Sequence, residues 1–316
     1  RWPGRLVDIV AVVATIAGLA TTTGLAALQI DAGVSFLART TFGIAWPTGT
    51  WMAAGIVAVL IGATVVSAWL GLHRGIKRVS TVNVALMLAL LLTMVVIGPT
   101  VYLLDVFLSG LGAYLGNLLG LSLYTEAFAG SEAGWQDAYT IFYWGFWIVW
   151  SPFVGLFIAR ISRGRTIREF VAGVLLVPVL FSVVWMAVFN GSALFVELSV
   201  LQGGISGPLQ AHGEAVALFE MFSFYPLALL TAGIATVNLV TFFVTSADSG
   251  SLVASYLTTG GNQDTTTTQR ALWPLVIGAS AVVLLFGNGL SALKTAVITA
   301  GLPFSVVILL MVYTLY

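Results

Sequence analysis

Along this chain the polar residues fall in short clusters, and the apolar residues between them form long unbroken runs. A bilayer-crossing helix needs about 20 consecutive apolar residues. Runs of that kind lie at 6–29, 51–72, 79–106, 134–159, 169–190, 222–257, 271–288 and 295–316. They predict an all-α, polytopic membrane helical bundle forming one unit over 1–316. The run at 222–257 is long enough to tilt or to continue past the bilayer. The stretch 107–130 is broken by glycines and less apolar, which predicts an interfacial helix. No run alternates with the period of two that a membrane barrel requires.

The charged clusters orient these spans. Gaps between successive spans face alternate sides of the membrane. One side collects Arg1, Arg5, Arg74, Lys77, Arg78, Arg160, Arg163, Arg165, Arg168 and Arg270, and the other only Arg39 and Lys294. Basic loop residues mark the cytoplasmic face, so "HRGIKR" and "RISRGRTIREF" are predicted inside. Asp31, Glu126, Glu132, Asp137, Glu197 and Glu214 then fall on or near the outside. A missed or invented helix would scramble the asymmetry.

Composition narrows the function. Only 8% of residues are charged and 59% are hydrophobic, whereas soluble domains carry about a quarter charged residues. With no cysteine, disulfide and thiolate chemistry are excluded. A formal net charge of zero argues against nucleic acid as a partner. No nucleophile–base motif, HExxH or phosphate loop is present, so neither an enzyme nor a bound cofactor is expected. His73 and His212 are far apart in loops and do not support a metal site. No cleavable signal peptide is visible, and both ends lie close to spans, which predicts a fragment of a longer protein.

The most unusual stretch is "FYWGFWIVWSPF" at 142–153. At 100° per residue, Phe142, Tyr143, Phe146, Trp147, Trp150 and Phe153 share an arc of about 140°, with Trp144 outside it. Three readings are open. The rings can be an interfacial belt, although they extend over roughly 16 Å of helix rise. They can be large side chains packed in a core. They can also form a box whose ring faces hold a cation without a counter-charge.

Three further stretches join this one in a resemblance. "YWGFWIVWSPFVGLFIARISRGRTIREFVAGVLLVPV" closely resembles the signature of the betaine/choline/carnitine transporter family. "TFFVTSADSGS" (241–251), "DIVAVVATIAGLATTTGLAALQI" (8–30) and "IGPTVYLLD" (97–105) are similar to other parts of it. The resemblance implies an inverted five-helix-repeat fold of twelve spans, of which this chain holds the fifth to the twelfth, with the N-terminal part missing. It implies a symporter in a prokaryotic inner membrane that imports a quaternary-ammonium solute such as glycine betaine, choline or carnitine. It also implies a sodium partner and a homotrimer, here through the helix at 107–124. Proton-coupled choline uptake, another compatible solute such as ectoine, and a non-transporting homologue are the alternatives.

Residue by residue, the resemblance places Trp147 at the main ammonium position and Trp150 beside it, with Trp144 matching a third family tryptophan and Phe142 an aromatic along the pathway. Phe146 stands where the family usually has Trp. Within "GLATTTGLAAL" it singles out Thr22 as a solute contact, against the plain reading that these hydroxyls bond back to their own helix. It assigns one sodium site to the Phe242 carbonyl and the Thr245 and Ser246 hydroxyls. A second would use Thr15 beside Phe153, but Leu19 stands where the second hydroxyl belongs. Asp248, an acid within a span and costly without a partner, is expected to pair with Arg160 near the inner mouth.

Overall fold

The computed structural model describes residues 2–70, 73–130, 134–260 and 266–314. Among them there is no strand. Eleven helices are numbered here in chain order: α1 (Trp2–Phe42), α2 (Thr50–Leu70), α3 (His73–Ile97), α4 (Thr100–Gly116), α5 (Leu118–Leu123), α6 (Ile141–Ile161), α7 (Ile167–Phe195), α8 (Ser206–His212), α9 (Ala217–Ser223), α10 (Ala228–Thr258) and α11 (Thr267–Thr314). Among the described residues, seven helical segments are long and apolar enough to cross a membrane.

Several boundaries differ from the sequence reading, each for a local reason. α1 runs on from residue 29 to Phe42, because both charges in that extension find partners. Asp31 accepts from the Trp46 indole N–H at 3.0 Å and from the Gly49 amide at 3.2 Å. Arg39 pairs with Glu220 at 3.0 Å. The predicted run 79–106 breaks at Gly98–Pro99, where proline offers no N–H to the ladder and the Thr100 hydroxyl donates to the freed carbonyl of Val95 at 2.7 Å. The expected interfacial stretch 107–130 forms the end of α4 and the short α5. The run 222–257 is split at Phe224–Leu227, with Leu227 left-handed at φ 63°. α11 covers the last two predicted spans as far as Thr314, parted at Asn288 and Gly289, whose backbone is not helical. At α7 the sequence "TIRE" makes a reciprocal cap, Thr166 accepting from the Glu169 amide while the Glu169 carboxylate accepts from the Thr166 amide.

α1 lies at the centre, packed by α2, α6, α10 and α11. α1 and α11 approach closely at Gly24, where an added Cβ would sit 2.6 Å from Leu293. Beside it the Thr21 hydroxyl donates to the Leu293 carbonyl at 3.0 Å. Three apolar clusters fill the bundle. One joins α3, α4, α7 and α9 around Met94, Phe189, Phe219 and Phe222. A second joins α1, α2, α10 and α11 around Val57, Leu60 and Leu285. The third sets α6 against α1 and α11 around Val149, Val297 and Phe304.

Candidate functional site

A cavity of about 430 Å³ opens between α1, α3, α6, α7 and α10. Its walls are mostly apolar and aromatic, including Phe146 and Trp150 of α6, Trp185 of α7 and Phe242 of α10. Its polar lining consists of Thr22, Gln29, Asn238 and Ser246, and none of its lining residues is charged.

α6 brings Phe146 and Trp150 to this cavity as the middle rungs of a ring ladder at helical spacing. Phe142 and Phe146 have centroids 5.9 Å apart, Phe146 and Trp150 5.7 Å, and Trp150 and Phe153 5.5 Å. They form a continuous ladder along one face. Pro152 lies inside the same helix without ending it. The other rings of the stretch turn away: Trp144 is 68% exposed, Trp147 63%, and Tyr143 is exposed too. The arc expected from the helical wheel therefore narrows to its inner half. Trp147, expected at the main ammonium position, does not line the cavity, while its neighbour Phe146 does. One residue is 100° of rotation, and the packing of Val149 and Gly145 against α11 fixes that rotation.

The three successive threonines of α1, Thr21 to Thr23, have separate tasks. Thr21 ties α1 to α11 as described, and Thr23 bonds back to the Leu19 carbonyl at 2.6 Å. Thr22 alone reaches the cavity. Its hydroxyl donates to the Gly18 carbonyl at 2.8 Å and accepts the Trp150 indole N–H at 3.2 Å. Both the threonine proton and the indole proton are thus committed within the protein.

On α10, Phe242 and Ser246 line the cavity and Thr245 points elsewhere. The Thr245 hydroxyl donates to the carbonyls of Thr241 and Phe242 at 3.1 and 3.0 Å, and accepts from Asn83 Nδ2 of α3 at 3.4 Å. Asn83 is buried, and its Oδ1 has no hydrogen-bond partner. A lone amide inside the apolar run 79–97 was the sequence signal for it, and the sequence reading passed over it. Asn238 was missed likewise.

The proposed second ion position is filled differently. Thr15 and Phe153 are both buried, and the Thr15 hydroxyl donates to the Ala11 carbonyl at 2.8 Å. Leu19 packs against Gly250 of α10, in direct contact with the position a Cβ would take. The expected Asp248–Arg160 pair lies outside the described residues, because it rests on the Arg160 side chain. Among the described residues no group of three or more His, Asp or Glu is placed to hold a metal ion.

At the end that the charge asymmetry places outside, Lys294 pairs with Glu214 at 3.0 Å. Its ammonium also sits 5.3 Å from the Phe142 ring centre and 5.5 Å from that of Tyr139. The ring ladder thus ends on a cation of the protein's own.

A family model described as BCCT, betaine/carnitine/choline family transporter, matches residues 1–316. The glycine betaine transporter OpuD of Bacillus subtilis is 39% identical over 313 residues, which is 99% of this chain and 59% of the relative. The ectoine/glycine betaine/proline transporter EctP of Corynebacterium glutamicum is 38% identical, with 99% of this chain and 50% of the relative aligned. The glycine betaine/proline/choline transporter VP1723 of Vibrio parahaemolyticus is 38% identical, with 98% and 53% aligned. The chain spans about half the length of the curated relatives it matches.

Proposed function

Because the chain belongs to the betaine/carnitine/choline transporter family and is a multi-pass membrane protein, we propose that it forms the solute-handling part of a secondary transporter for a quaternary-ammonium compatible solute. The observation that carries this reading is the uncharged cavity walled by Phe146, Trp150, Trp185 and Phe242. A permanently charged, weakly hydrated onium group is attracted to ring faces by about 2 kcal/mol or more where water is excluded. An acidic wall would favour smaller, more strongly hydrated cations instead.

Sodium is the coupling ion in this proposal. Ser246, the Phe242 carbonyl and Thr245 supply neutral oxygens, and the unpartnered Asn83 Oδ1 adds another beside Thr245. With Leu19 filling the place of a second hydroxyl at Thr15 and Phe153, one sodium accompanies each solute. Joint stabilisation of an occluded state by solute and ion is coupling by linkage. The bacterial plasma membrane is the proposed location. α4 and α5, whose outward side chains Val101, Leu108 and Leu119 are exposed, are the proposed homotrimer contact.

The names of the relatives include ectoine and proline as well as betaine and choline, so the solute is identified by competition. Uptake by the full-length protein in proteoliposomes tests the whole reading. Glycine betaine, choline, carnitine and ectoine are offered under a sodium gradient or a proton gradient. Accumulation of an onium solute driven by sodium is expected. Uptake driven equally by protons alone, or confined to ectoine, would replace the coupling ion or the solute class.

A further inference from the structure

The ring ladder of α6 ends on Lys294, and two more rings stand beyond it toward the outside. A π-helical turn at Gln136–Thr140 carries Tyr139, whose ring centre lies 4.4 Å from that of Trp135. The Lys294 ammonium lies over both Tyr139 and Phe142, 5.5 and 5.3 Å from their ring centres, and 3.0 Å from the Glu214 carboxylate. Phe142 is buried, and its ring centre is 5.9 Å from that of Phe146, which walls the cavity. Along the ladder, Phe142 therefore stands between the protein's own cation and the cavity wall.

The two halves of this ion pair are held differently. Lys294 follows Leu293, whose carbonyl accepts from Thr21 and whose side chain packs at Gly24, so its backbone is fixed to α1. Glu214 stands on the connection between α8 and α9, directly after Gly213 at φ 85°. The lysine is the more covered partner, at 19% against 46% exposure, with the two rings against its ammonium. A lysine ammonium is a strongly hydrated charge on a flexible four-carbon stem. It can leave the rings for water without any movement of α11. A trimethylammonium group is weakly hydrated and gains more from ring faces. The rings thus favour an onium group, and water favours the lysine.

We propose that Lys294 is a tethered cation that closes the outer end of the ring ladder, and that an arriving onium solute opens it by taking its place on Tyr139 and Phe142. The proposal rests on the onium-transport reading and adds to it a latch built from the protein's own charge. Glu214 keeps Lys294 close while the rings are taken, so the latch re-forms as the solute moves inward to Phe146 and Trp150. The contact is weak enough to open. A partly exposed ion pair and an exposed cation over a ring each shift an equilibrium by about fivefold or less.

The full-length protein in right-side-out membrane vesicles provides the test. The chain has two lysines, Lys294 and Lys77, the latter in a loop predicted inside. A membrane-impermeant amine-acylating reagent is added outside, and modification of the peptide carrying Lys294 is measured by mass spectrometry. Saturating tetramethylammonium should raise Lys294 modification about fivefold over potassium at the same ionic strength, with Lys77 unmodified as the control for leakage. In uptake, Lys294→Gln should lower the half-saturating concentration of glycine betaine about fivefold. Lys294→Arg, which keeps a cation over the rings, should stay near wild type. Labelling of the unaltered protein carries the test if the glutamine variant does not fold. If tetramethylammonium and betaine fail to bind the wild-type protein, as read by tryptophan fluorescence, the onium reading and the latch fall together. If they bind and Lys294 modification is no greater in tetramethylammonium than in potassium, the latch alone is overturned. An unchanged or raised half-saturation in the glutamine variant overturns it likewise.

Discussion

Leu19 of α1 lies directly against Gly250 of α10, its methyl groups occupying the space that any side chain at residue 250 would need. This contact fits two helices together and fills with hydrocarbon the place that the family resemblance gives to a second ion-binding hydroxyl.

The first prediction follows from that fit. Gly250→Val forces the helices apart, and overpacking of this kind costs about 1–3 kcal/mol. The melting temperature of the purified protein in detergent should fall, and Leu19→Ala in the same chain should recover much of the loss, since residues in contact couple. Additive losses would mean that the two helices give way elsewhere.

Leu19→Thr tests the ion count. It places a hydroxyl one turn from Thr15, beside Phe153. The dependence of uptake on sodium should steepen from first order towards second order. A curve that stays first order would show that the site lacks more than one oxygen.

The ring ladder gives an ordering of effects. Trp150 lines the cavity and Trp147 does not, so Trp150→Leu should weaken onium binding by about 2 kcal/mol, roughly 30-fold, and Trp147→Leu by far less. Tryptophan fluorescence titration with glycine betaine measures both. The reverse order would place the solute on the outward face of α6.

Thr22→Val removes the acceptor of the Trp150 indole while leaving the ring in place. Because the hydroxyl orients the indole and gives no proton to the solute, betaine and tetramethylammonium should weaken together. A loss confined to betaine would show that the hydroxyl donates to the carboxylate of the solute.

At the outer end, the Lys294–Glu214 pair is partly exposed, and exposed pairs contribute up to about 1 kcal/mol. A double-mutant cycle with Lys294→Gln and Glu214→Gln, read by thermal melting, should give a coupling in that range. The coupling should shrink in high salt as screening rises. A salt-independent coupling would place the pair in a drier setting than its exposure implies.

The helices were legible in the sequence because a bilayer demands long apolar runs, and among the described residues each of those runs is mostly helix. What escaped were places where a tertiary partner changes the local rule. Residues 30–42 interrupt the apolar run with two charges, yet Asp31 accepts hydrogen bonds from Trp46 and Gly49, and Arg39 is paired with Glu220. The wheel placed Trp147 with Trp150, because spacing gives relative angles and only packing against α11 gives the absolute rotation. Thr22 was picked out as a donor, and its geometry could not be foreseen, since Trp150 lies 128 residues away. Asn83 and Asn238 carry no motif. Their interest lies in buried oxygens without partners, which no linear pattern reveals.

α10 crosses the bundle with a series of hydroxyls folded back on itself. Thr231, Thr236, Thr241, Thr245, Ser249, Ser251, Ser255 and Thr258 each donate to a carbonyl of the preceding turn. Such a hydroxyl is released by one side-chain rotation between staggered rotamers, and no rung of the backbone ladder opens. Under the sodium reading proposed above, oxygens along this helix are offered to an ion and withdrawn again by side-chain rotation alone, with no melting of the helix.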